Sequence, residues 1–522
     1  MSTSRFDAVI IGSGLGGLTA GALLAKAGHS VCLIERNTSL GGAASCYKVG
    51  PLTIEAALHE TADPRDPREV KHGILKRLDL LDKITWLPVG GLFTVQGGPV
   101  GEPFSLPHGF GNARDALSGR FPESKDPVAR VLGKMERLHN TVGRLNAARE
   151  NRSFGGLLGA FASSYPILSG WRASLDEVLN AEFGANEAVK FGLAANLSYY
   201  SADPKRLWWL FFAVAQGGYL GSGGVYIQGG SRQLSVKLGG VIKRAGGTVL
   251  LGTAVTSIEV DRSGAVTAVE TAAKGERASQ RIEARVVLAN GAPDAIAGML
   301  SDEASSRFAP AFAGRALSTS LFSAHFGLKA NPAQFGLTAY STILLPSWIS
   351  ALGDFPQSTA LLGANPNGKL PVLGICNYGA VEAGLDEGGP ILVSVVGTDD
   401  VSNWRGLSKD GEAARRNAWL DAILAELERH YPGFAGAVEQ KVLMSAASME
   451  RYLGTPSGAI YGFDPVPPSS PVWRGMPRCP KTPIDGLYLA SSWGGSGGFS
   501  GAMAAGAEAA GLAMAALAKK PG

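Results

Sequence analysis

Cysteine is scarce in this chain of 522 residues. The four that occur, Cys32, Cys46, Cys376 and Cys479, lie far apart and include no Cys-x-x-Cys pair. So few and so widely spaced cysteines exclude the disulfide framework of small secreted domains and favour a reducing compartment. The chain also lacks a His-Glu-x-x-His pair and any cysteine and histidine spacing suited to a metal. We therefore expect no metal site.

The chain also lacks a large excess of charge of one sign and a long uncharged apolar run. Only 18% of the residues are charged, the net charge is +4, and no five basic residues are consecutive. Such a balance favours neither a nucleic acid nor an acidic partner. No 18 consecutive residues are both apolar and uncharged, and the polar start Met1–Arg5 does not resemble a secretory signal. We expect a cytoplasmic globular protein that binds no nucleic acid and has no membrane-spanning helix.

Glycine, by contrast, is abundant, with 71 residues, and one early cluster forms a motif. Ala8–Ile11 is an apolar run typical of a buried parallel strand, Leu15–Lys26 has helical spacing, and Ser30–Ile34 is a second strand-like run. The segment Gly12–Gly17 reads Gly-x-Gly-x-x-Gly and fills the turn between the first strand and the helix. In this position the motif predicts a bound dinucleotide.

Each residue of the motif has a physical role. Gly12 permits the sharp turn, Gly14 lets the backbone approach a pyrophosphate, and Gly17 lets the helix lie close to the sheet. The helix N-terminus offers free N–H groups and the positive end of its dipole to the phosphates. Glu35, which follows the second strand, supplies a carboxylate that can accept hydrogen bonds from the ribose hydroxyls.

A second glycine pair, Gly41-Gly42, indicates which dinucleotide is bound. A flavin that reaches deep into a protein crosses backbone that must carry no Cβ. An acidic residue followed by a Gly-Gly pair resembles the large family of FAD-dependent amine oxidases, carotenoid desaturases and carotenoid isomerases. The resemblance implies FAD as the cofactor.

Three further segments resemble the dispersed FAD-binding parts of that family. Gly229–Asp261 reads as turn, amphipathic helix, glycine stop and two strands; Ile282–Ile296 as a buried strand and turn; Asp485–Ala518 as strand, glycine loop and helix. The resemblance implies an α/β fold: a Rossmann-like FAD-binding domain assembled from discontinuous segments, with an inserted α+β substrate domain. The boundaries it implies are 1–100, 221–300 and 475–522 for the FAD-binding domain, and 101–220 and 301–474 for the substrate domain.

Within this family, Gly223–Val249, Ser445–Pro465 and Thr482–Met503 look most like phytoene desaturases, carotenoid isomerases and retinol saturases. The chain departs from relatives that carry an acidic residue near the last strand, because Ser491–Trp493 stands there. The cofactor-binding positions that the motif and the resemblance together imply are Gly12, Ser13, Gly14, Gly16, Gly17, Glu35, Arg36, Gly41, Gly42, Val255, Asn290, Ser492, Gly501 and Ala502.

The resemblance implies an FAD-dependent oxidoreductase that acts on carbon–carbon bonds of an apolar, polyene- or isoprenoid-like substrate. Desaturation, saturation and isomerisation all remain open, because the flavin moves the hydride in each. No second Gly-x-Gly-x-x-Gly opens a helix, so a stably bound pyridine nucleotide is not indicated. The alternatives are a flavin amine oxidase, or a non-catalytic escort protein that binds prenylated GTPases. The electron acceptor and the oligomeric state stay open.

The densest apolar and aromatic run of the chain is Leu207–Val214. As a helix it would belong to the core, form the wall of a tunnel for a long apolar substrate, or make peripheral contact with a membrane. Lys205 and Arg206, directly before the run, would suit lipid phosphates in the last case.

One histidine is a candidate catalytic residue. In Gly50–Pro64, His59 follows the acidic Glu55 by a few residues, a pattern that resembles retinol saturases where their chain meets the flavin ring. A neutral imidazole there could shuttle a proton as the hydride moves, with a pKa near the working pH. We expect Glu60 to orient the ring or to raise its pKa.

Overall fold

The computed structural model describes residues 4–150, 170–273, 279–385, 388–472 and 480–519. The strands in this part of the chain are β1 (Ser4–Ile11), β2 (Val31–Glu35), β3 (Cys46–Val49), β4 (Leu52–Glu55), β5 (Thr61–Ala62), β6 (Trp86–Pro88), β7 (Gly91–Gly97), β8 (Gly101–Pro107), β9 (Gly224–Ile227), β10 (Thr248–Leu251), β11 (Thr253–Val260), β12 (Val266–Ala273), β13 (Ser279–Ala289), β14 (Ser320–Leu328), β15 (Ser341–Leu345), β16 (Leu373–Asn377), β17 (Ile391–Asp399), β18 (Val438–Met444) and β19 (Leu487–Leu489). The helices are α1 (Leu15–Lys26), α2 (Val70–Arg77), α3 (Phe110–Arg120), α4 (Lys125–Glu150), α5 (Leu175–Phe183), α6 (Glu187–Ala194), α7 (Trp209–Ser222), α8 (Arg232–Arg244), α9 (Pro293–Ala297), α10 (Asp302–Phe308), α11 (Phe355–Thr359), α12 (Lys409–His430), α13 (Phe434–Ala437), α14 (Ala446–Met449) and α15 (Gly498–Leu517).

The first large sheet joins three distant parts of the chain. Its strand order is β10-β2-β1-β13-β12-β11, and β19 pairs with the end of β13. The strands β10, β2, β1, β13 and β19 run parallel, whereas β12 and β11 are antiparallel. All five residues of β2 are buried, as expected for a central strand covered on both faces. The prediction of a Rossmann-like α/β domain built from discontinuous segments is confirmed.

The second large sheet has the order β18-β14-β17-β16-β15-β7-β8. Its neighbouring strands are antiparallel except for the parallel pair β15 and β7. Helix α12 packs on it through Trp419, Ile423 and Leu427. Residues 91–100 lie within the first segment that the resemblance assigns to the cofactor domain, and their strand β7 belongs to this second sheet.

Helices α1 and α15 pack against each other at the cofactor end of the first sheet. A Cβ at Gly506 of α15 would lie only 2.2 Å from the Gly16 carbonyl oxygen of α1, so this close approach requires glycine. Among the described residues α15 is the one helix that is long and apolar enough to cross a membrane, by length and composition alone. Its residues Ala509, Ala510 and Ala513 are buried in the same hydrophobic core as α1.

The apolar run Leu207–Val214 leads into α7. Trp209 and Phe212 are buried in a helical core, with exposed fractions of 3% and 0%. Phe211 and Val214 lie on the other side of the helix and line a cavity. The run therefore forms part of the core and part of a cavity wall.

Candidate cofactor and active site

A single cavity of about 980 Å³ is lined by residues of both large sheets. It is here that the structure brings together nearly all of the residues proposed from sequence. Those that line the cavity are Gly12, Ser13, Gly14, Gly16, Glu35, Arg36, Gly41, Gly42, His59, Val255, Asn290, Ser492, Gly501 and Ala502. Gly17 does not line it. A Cβ there would lie 2.3 Å from the Gly12 carbonyl oxygen, so Gly17 serves the packing of α1 against the turn.

The turn between β1 and α1 forms the first wall of the cavity. Gly12 has a φ of +89°, a conformation that favours glycine. The backbone N–H of Asn290, at the end of β13, donates to the Ile11 carbonyl at 2.7 Å. A Cβ at Gly14 would lie 2.4 Å from the Asn290 side-chain nitrogen. Both the turn and Asn290 therefore depend on a bare backbone at Gly14.

Glu35 ends β2 and is tied to this turn. Its Oε2 accepts from the Ser13 backbone N–H at 2.8 Å and from the Ser13 hydroxyl at 2.7 Å, and its Oε1 accepts from the Asn37 N–H at 2.8 Å. A carboxylate has about four acceptor positions, so these three donors leave capacity for one more. Because Glu35 lines the cavity, a ligand hydroxyl is a suitable fourth donor.

The second glycine pair lies directly against the first. Gly41 forms a parallel bridge with Gly14, and its N–H donates to the Ser13 carbonyl at 3.1 Å. Gly41 and Gly42 have φ values of +122° and +56°. A Cβ at Gly41 would lie 2.2 Å from the Ala44 carbonyl oxygen. The two glycine segments thus form one continuous surface of bare backbone.

Two helices begin at the cavity with uncapped N-termini. Gly14 precedes α1 and Gly497 precedes α15, and neither helix has a side-chain cap or an acidic residue in its first turn. The unpaired N–H groups and the positive dipole ends therefore remain available for anionic groups of a ligand.

A buried ion pair fixes the start of α15. Lys71, whose side chain is 1% exposed, donates to the Ser500 hydroxyl at 2.6 Å and to Glu69 at 2.7 Å. Ser500 lies in the first turn of α15. Because a buried charge without its partner is costly, this pair positions the helix N-terminus.

The loop that carries His59 is held by hydrogen bonds from three tyrosines that are distant in sequence. Tyr340 donates to the His59 carbonyl, and Tyr378 donates to the Leu58 carbonyl at 2.8 Å. The His59 ring Nδ1 is hydrogen bonded to the Tyr199 hydroxyl at 2.6 Å. The partner of the ring is therefore Tyr199 rather than Glu60.

The electrostatics of His59 differ from the sequence-based expectation. Burial lowers the pKa of its imidazole to about 4, because the charged form is poorly solvated there. The expectation of a pKa near the working pH is therefore wrong. The ring is neutral at pH 7 and can act in that form alone.

The two acidic neighbours of His59 have separate environments. Glu55 does not line the cavity: its carboxylate accepts from the Ser231 backbone and hydroxyl and from the Tyr226 hydroxyl, and so joins β4 to α8 and β9. Glu60 does line the cavity, and its buried Oε2 has no hydrogen-bond partner. Burial raises the pKa of the Glu60 carboxyl to about 8, so the group is protonated at pH 7.

Beyond His59 the cavity is largely apolar and aromatic. Its wall includes five tyrosines that come from separate parts of the chain and meet only in the folded protein, so no sequence motif predicts them as a group. They are Tyr199, Tyr200, Tyr219, Tyr340 and Tyr461. Burial raises the pKa of each phenol, so all stay neutral. The Tyr199-Tyr200 pair just before the apolar run was the one local signal available.

Other reactive groups add little to this site. Within the residues described, no group of three or more histidine, cysteine, aspartate or glutamate side chains is arranged to hold a metal ion. Cys32, Cys46 and Cys376 are free thiols, and Cys479 lies outside the described residues.

The cavity fits an elongated dinucleotide. Bare backbone at Gly14 and Gly41, a carboxylate with one open acceptor position, and the free N-terminus of α1 surround one end. These are the features that a ribose and a pyrophosphate require. The aromatic and apolar end suits a flat ring and an apolar molecule beside it.

Comparisons with known proteins agree with this geometry. A family model for an NAD(P)-binding Rossmann-like domain matches residues 10–78. The all-trans-retinol 13,14-reductase of Macaca fascicularis is 28% identical over 275 residues, which are 50% of this chain and 43% of that protein. The enzyme of the same name from Danio rerio is 23% identical over 95% of this chain and 84% of its own. The chloroplastic prolycopene isomerase of Daucus carota is 24% identical over 37% of this chain and 30% of its own length.

Among solved structures, putrescine oxidase bound to putrescine superposes with a TM-score of 0.62 at 15% identity, covering 99% of this chain and all of that one. This likeness shows a shared fold. Two of the relatives are named as a reductase and an isomerase, and the fold is shared with an oxidase. By sequence the chain is similar to all-trans-retinol 13,14-reductases and to a prolycopene isomerase, and it spans less than half the length of the first of these relatives.

Proposed function

We propose that the protein binds FAD and acts on carbon–carbon double bonds of an apolar polyene. The observation that carries the proposal is the cavity itself, in which a dinucleotide cradle continues into a chamber of tyrosines and apolar side chains. When bound, a flavin supplies two-electron hydride chemistry. The residues of this chain bind it, orient it and keep water from the reacting atoms.

The adenosine half of FAD would lie at the end formed by Glu35 and Arg36, with a ribose hydroxyl donating to Glu35. The pyrophosphate would lie over Gly14 and Gly41, where the uncapped start of α1 offers N–H groups. The start of α15 would face the ring end and stabilise negative charge on it, an effect of about 1–2 kcal/mol in a partly buried site.

The polyene would occupy the chamber between His59 and α7. Phe211 and Val214 supply apolar contact from α7, and Tyr199 and Tyr219 supply flat aromatic surfaces. The names of the relatives support a substrate of this class, since retinol and prolycopene are conjugated polyenes. His59, as a neutral ring bonded to Tyr199, would position or relay a proton at the reacting carbon.

Anaerobic mixing tests this function. FAD-loaded protein, photoreduced under argon, is mixed with all-trans-retinol, and the absorbance of oxidised flavin is followed; the oxidised protein is mixed in parallel with putrescine. We expect all-trans-retinol to restore the flavin absorbance and putrescine to leave the oxidised flavin unbleached. Bleaching by putrescine with no response to the polyene would identify an amine oxidase instead. A protein that stays colourless after addition of FAD would refute the cofactor and support the escort alternative.

A further inference from the structure

Glu60 carries a half-buried carboxyl group that lines the reaction chamber and that the cofactor cradle does not use. It follows His59 directly, in the short connection to β5, and lines the same cavity. Its Oε2 is fully buried and has no hydrogen-bond partner. No ion pair joins its carboxylate within the described ranges of the chain, so no cation compensates a negative charge there.

The surroundings of Glu60 fix its position and keep it neutral. The Tyr219 hydroxyl donates to the Glu60 carbonyl at 3.3 Å, and the absence of a side chain at Gly224 makes room for Oε2, since a Cβ there would lie 2.4 Å from it. The nearest titratable groups are neutral: the phenols of Tyr199, Tyr200, Tyr219 and Tyr340, the thiol of Cys376, and the imidazoles of His59 and His108. The charged side chains on the same cavity wall, Arg68 and Glu69, form ion pairs with Asp66 and Lys71.

His108 does not act as the missing cation. Its Nε2 accepts from the Gly224 N–H at 3.1 Å, which leaves Nδ1 to donate to the Gly90 carbonyl at 3.1 Å. Burial lowers its pKa. A ring bonded in this way is uncharged, so it does not draw the proton from Glu60.

We infer that Glu60 is the acid that delivers the proton to the substrate carbon. In saturation, the π bond of one C=C breaks and two C–H bonds form. The hydride on one carbon would come from a reduced flavin, the two-electron donor, and the Glu60 carboxyl would supply the proton to the other carbon. The carboxylate left on Glu60 then takes a proton from water.

This assignment rests on the proposed function and gives His59 and Glu60 different roles. His59 is neutral at pH 7 and its ring Nδ1 is bonded to Tyr199, whereas Glu60 carries an acidic proton into a largely apolar chamber. A protonated carboxyl matched to neutral pH is an effective general acid. Glu60 is thereby a catalytic residue and His59 a positioning residue.

Two measurements on the FAD-loaded protein test the inference, with Glu60→Gln as the variant and Glu102→Gln, an exposed carboxylate on β8, as the matched control. The first is infrared difference spectroscopy between wild type and Glu60→Gln. We expect the carbonyl stretch of a protonated carboxylic acid at pH 7 that is absent from the variant and that disappears from the wild type as the pH rises through about 8.

The second measurement is the rate at which all-trans-retinol reoxidises the photoreduced flavin. We expect Glu60→Gln to slow this rate by about 10²–10⁴-fold with flavin content unchanged, and Glu102→Gln to leave it unchanged. The wild-type rate should fall above pH 8, and the variant should lose that fall. A wild-type rate in Glu60→Gln, or an ionised Glu60 at pH 7, overturns the inference alone. A wild-type protein that never reoxidises with the polyene overturns the proposed function and the inference with it.

Discussion

Several glycines at the cofactor end are important because they have no side chain. The turn at Gly12–Gly17 and the pair Gly41-Gly42 each leave a path that any side chain would close. Glu35, by contrast, is important for its side chain. Its carboxylate accepts three hydrogen bonds and has one acceptor position left for a ligand. The substitutions with the clearest outcomes therefore either fill a bare position or remove that carboxylate.

Gly14→Val should abolish flavin binding. The added side chain would meet the Asn290 side-chain nitrogen and block the path of the pyrophosphate. The measurement is the flavin absorbance of the purified protein. Gly111→Val is the control, since a Cβ at Gly111 meets nothing within 4 Å. A folded Gly14→Val protein that is as yellow as the wild type would refute the assignment of the motif.

Glu35→Ala should weaken FAD binding by roughly 1.5–3 kcal/mol, the usual contribution of a hydrogen bond to a charged group. The loss arises at the ribose, and the freed Ser13 N–H adds to it because it has lost its acceptor. Titration of the apo protein with FAD gives the two dissociation constants. Equal constants would remove Glu35 from the site.

His59→Gln should keep the flavin and the melting temperature and slow turnover by about 10²-fold, because the ring that is bonded to Tyr199 no longer positions the loop. Because the pKa of His59 is lowered to about 4, the ring is neutral from pH 5 upward. The wild-type rate should therefore show no step from His59 between pH 5 and pH 8. Near-normal turnover in a flavin-loaded His59→Gln protein would leave the residue a packing role only.

Several helices and strands could be predicted from short sequence patterns. Helix α1 begins and ends where the apolar spacing and the glycines predicted, and β2 extends one residue further, to Glu35. The glycine stop after α8 is present, with Gly246 at a φ of +84°. Periodicity and turn chemistry act over a few residues, and these elements depend on little else.

The chamber could not be predicted in the same way. Tyr199, Tyr340 and Tyr461 are far apart in sequence and share no spacing that marks a common surface. The pKa values of His59 and Glu60 move in opposite directions because of burial, which long-range packing decides. Glu60 accordingly appeared from sequence as a partner of His59, although the ring partner is Tyr199.

Helix α7 offers a matched pair of neighbouring phenylalanines. Phe212 is fully buried in the helical core, so Phe212→Ala should cost about 3–5 kcal/mol of stability. Phe211 lines the cavity, so Phe211→Ala should change the melting temperature little and weaken the binding of a polyene. Thermal melts and titration of the flavin spectrum with all-trans-retinol measure the two effects. If both variants melt alike, α7 does not divide into a core side and a cavity side.

The whole molecule joins a nucleotide-binding sheet to a second sheet across one cavity, with the reacting end formed by loops and helices from both parts. Neither part alone forms the whole cavity. The proposed redox chemistry on C=C bonds requires both parts, because the dinucleotide cradle and the aromatic chamber must meet.

Deuterium transfer tests this account most directly. FAD-loaded protein is photoreduced under argon in D₂O and incubated with all-trans-retinol, which is then extracted and examined by mass spectrometry. The account predicts two deuterium atoms bound to carbon for each double bond lost, with none in protein lacking flavin. Recovery of the polyene without carbon-bound deuterium, while the flavin stays reduced, would contradict it.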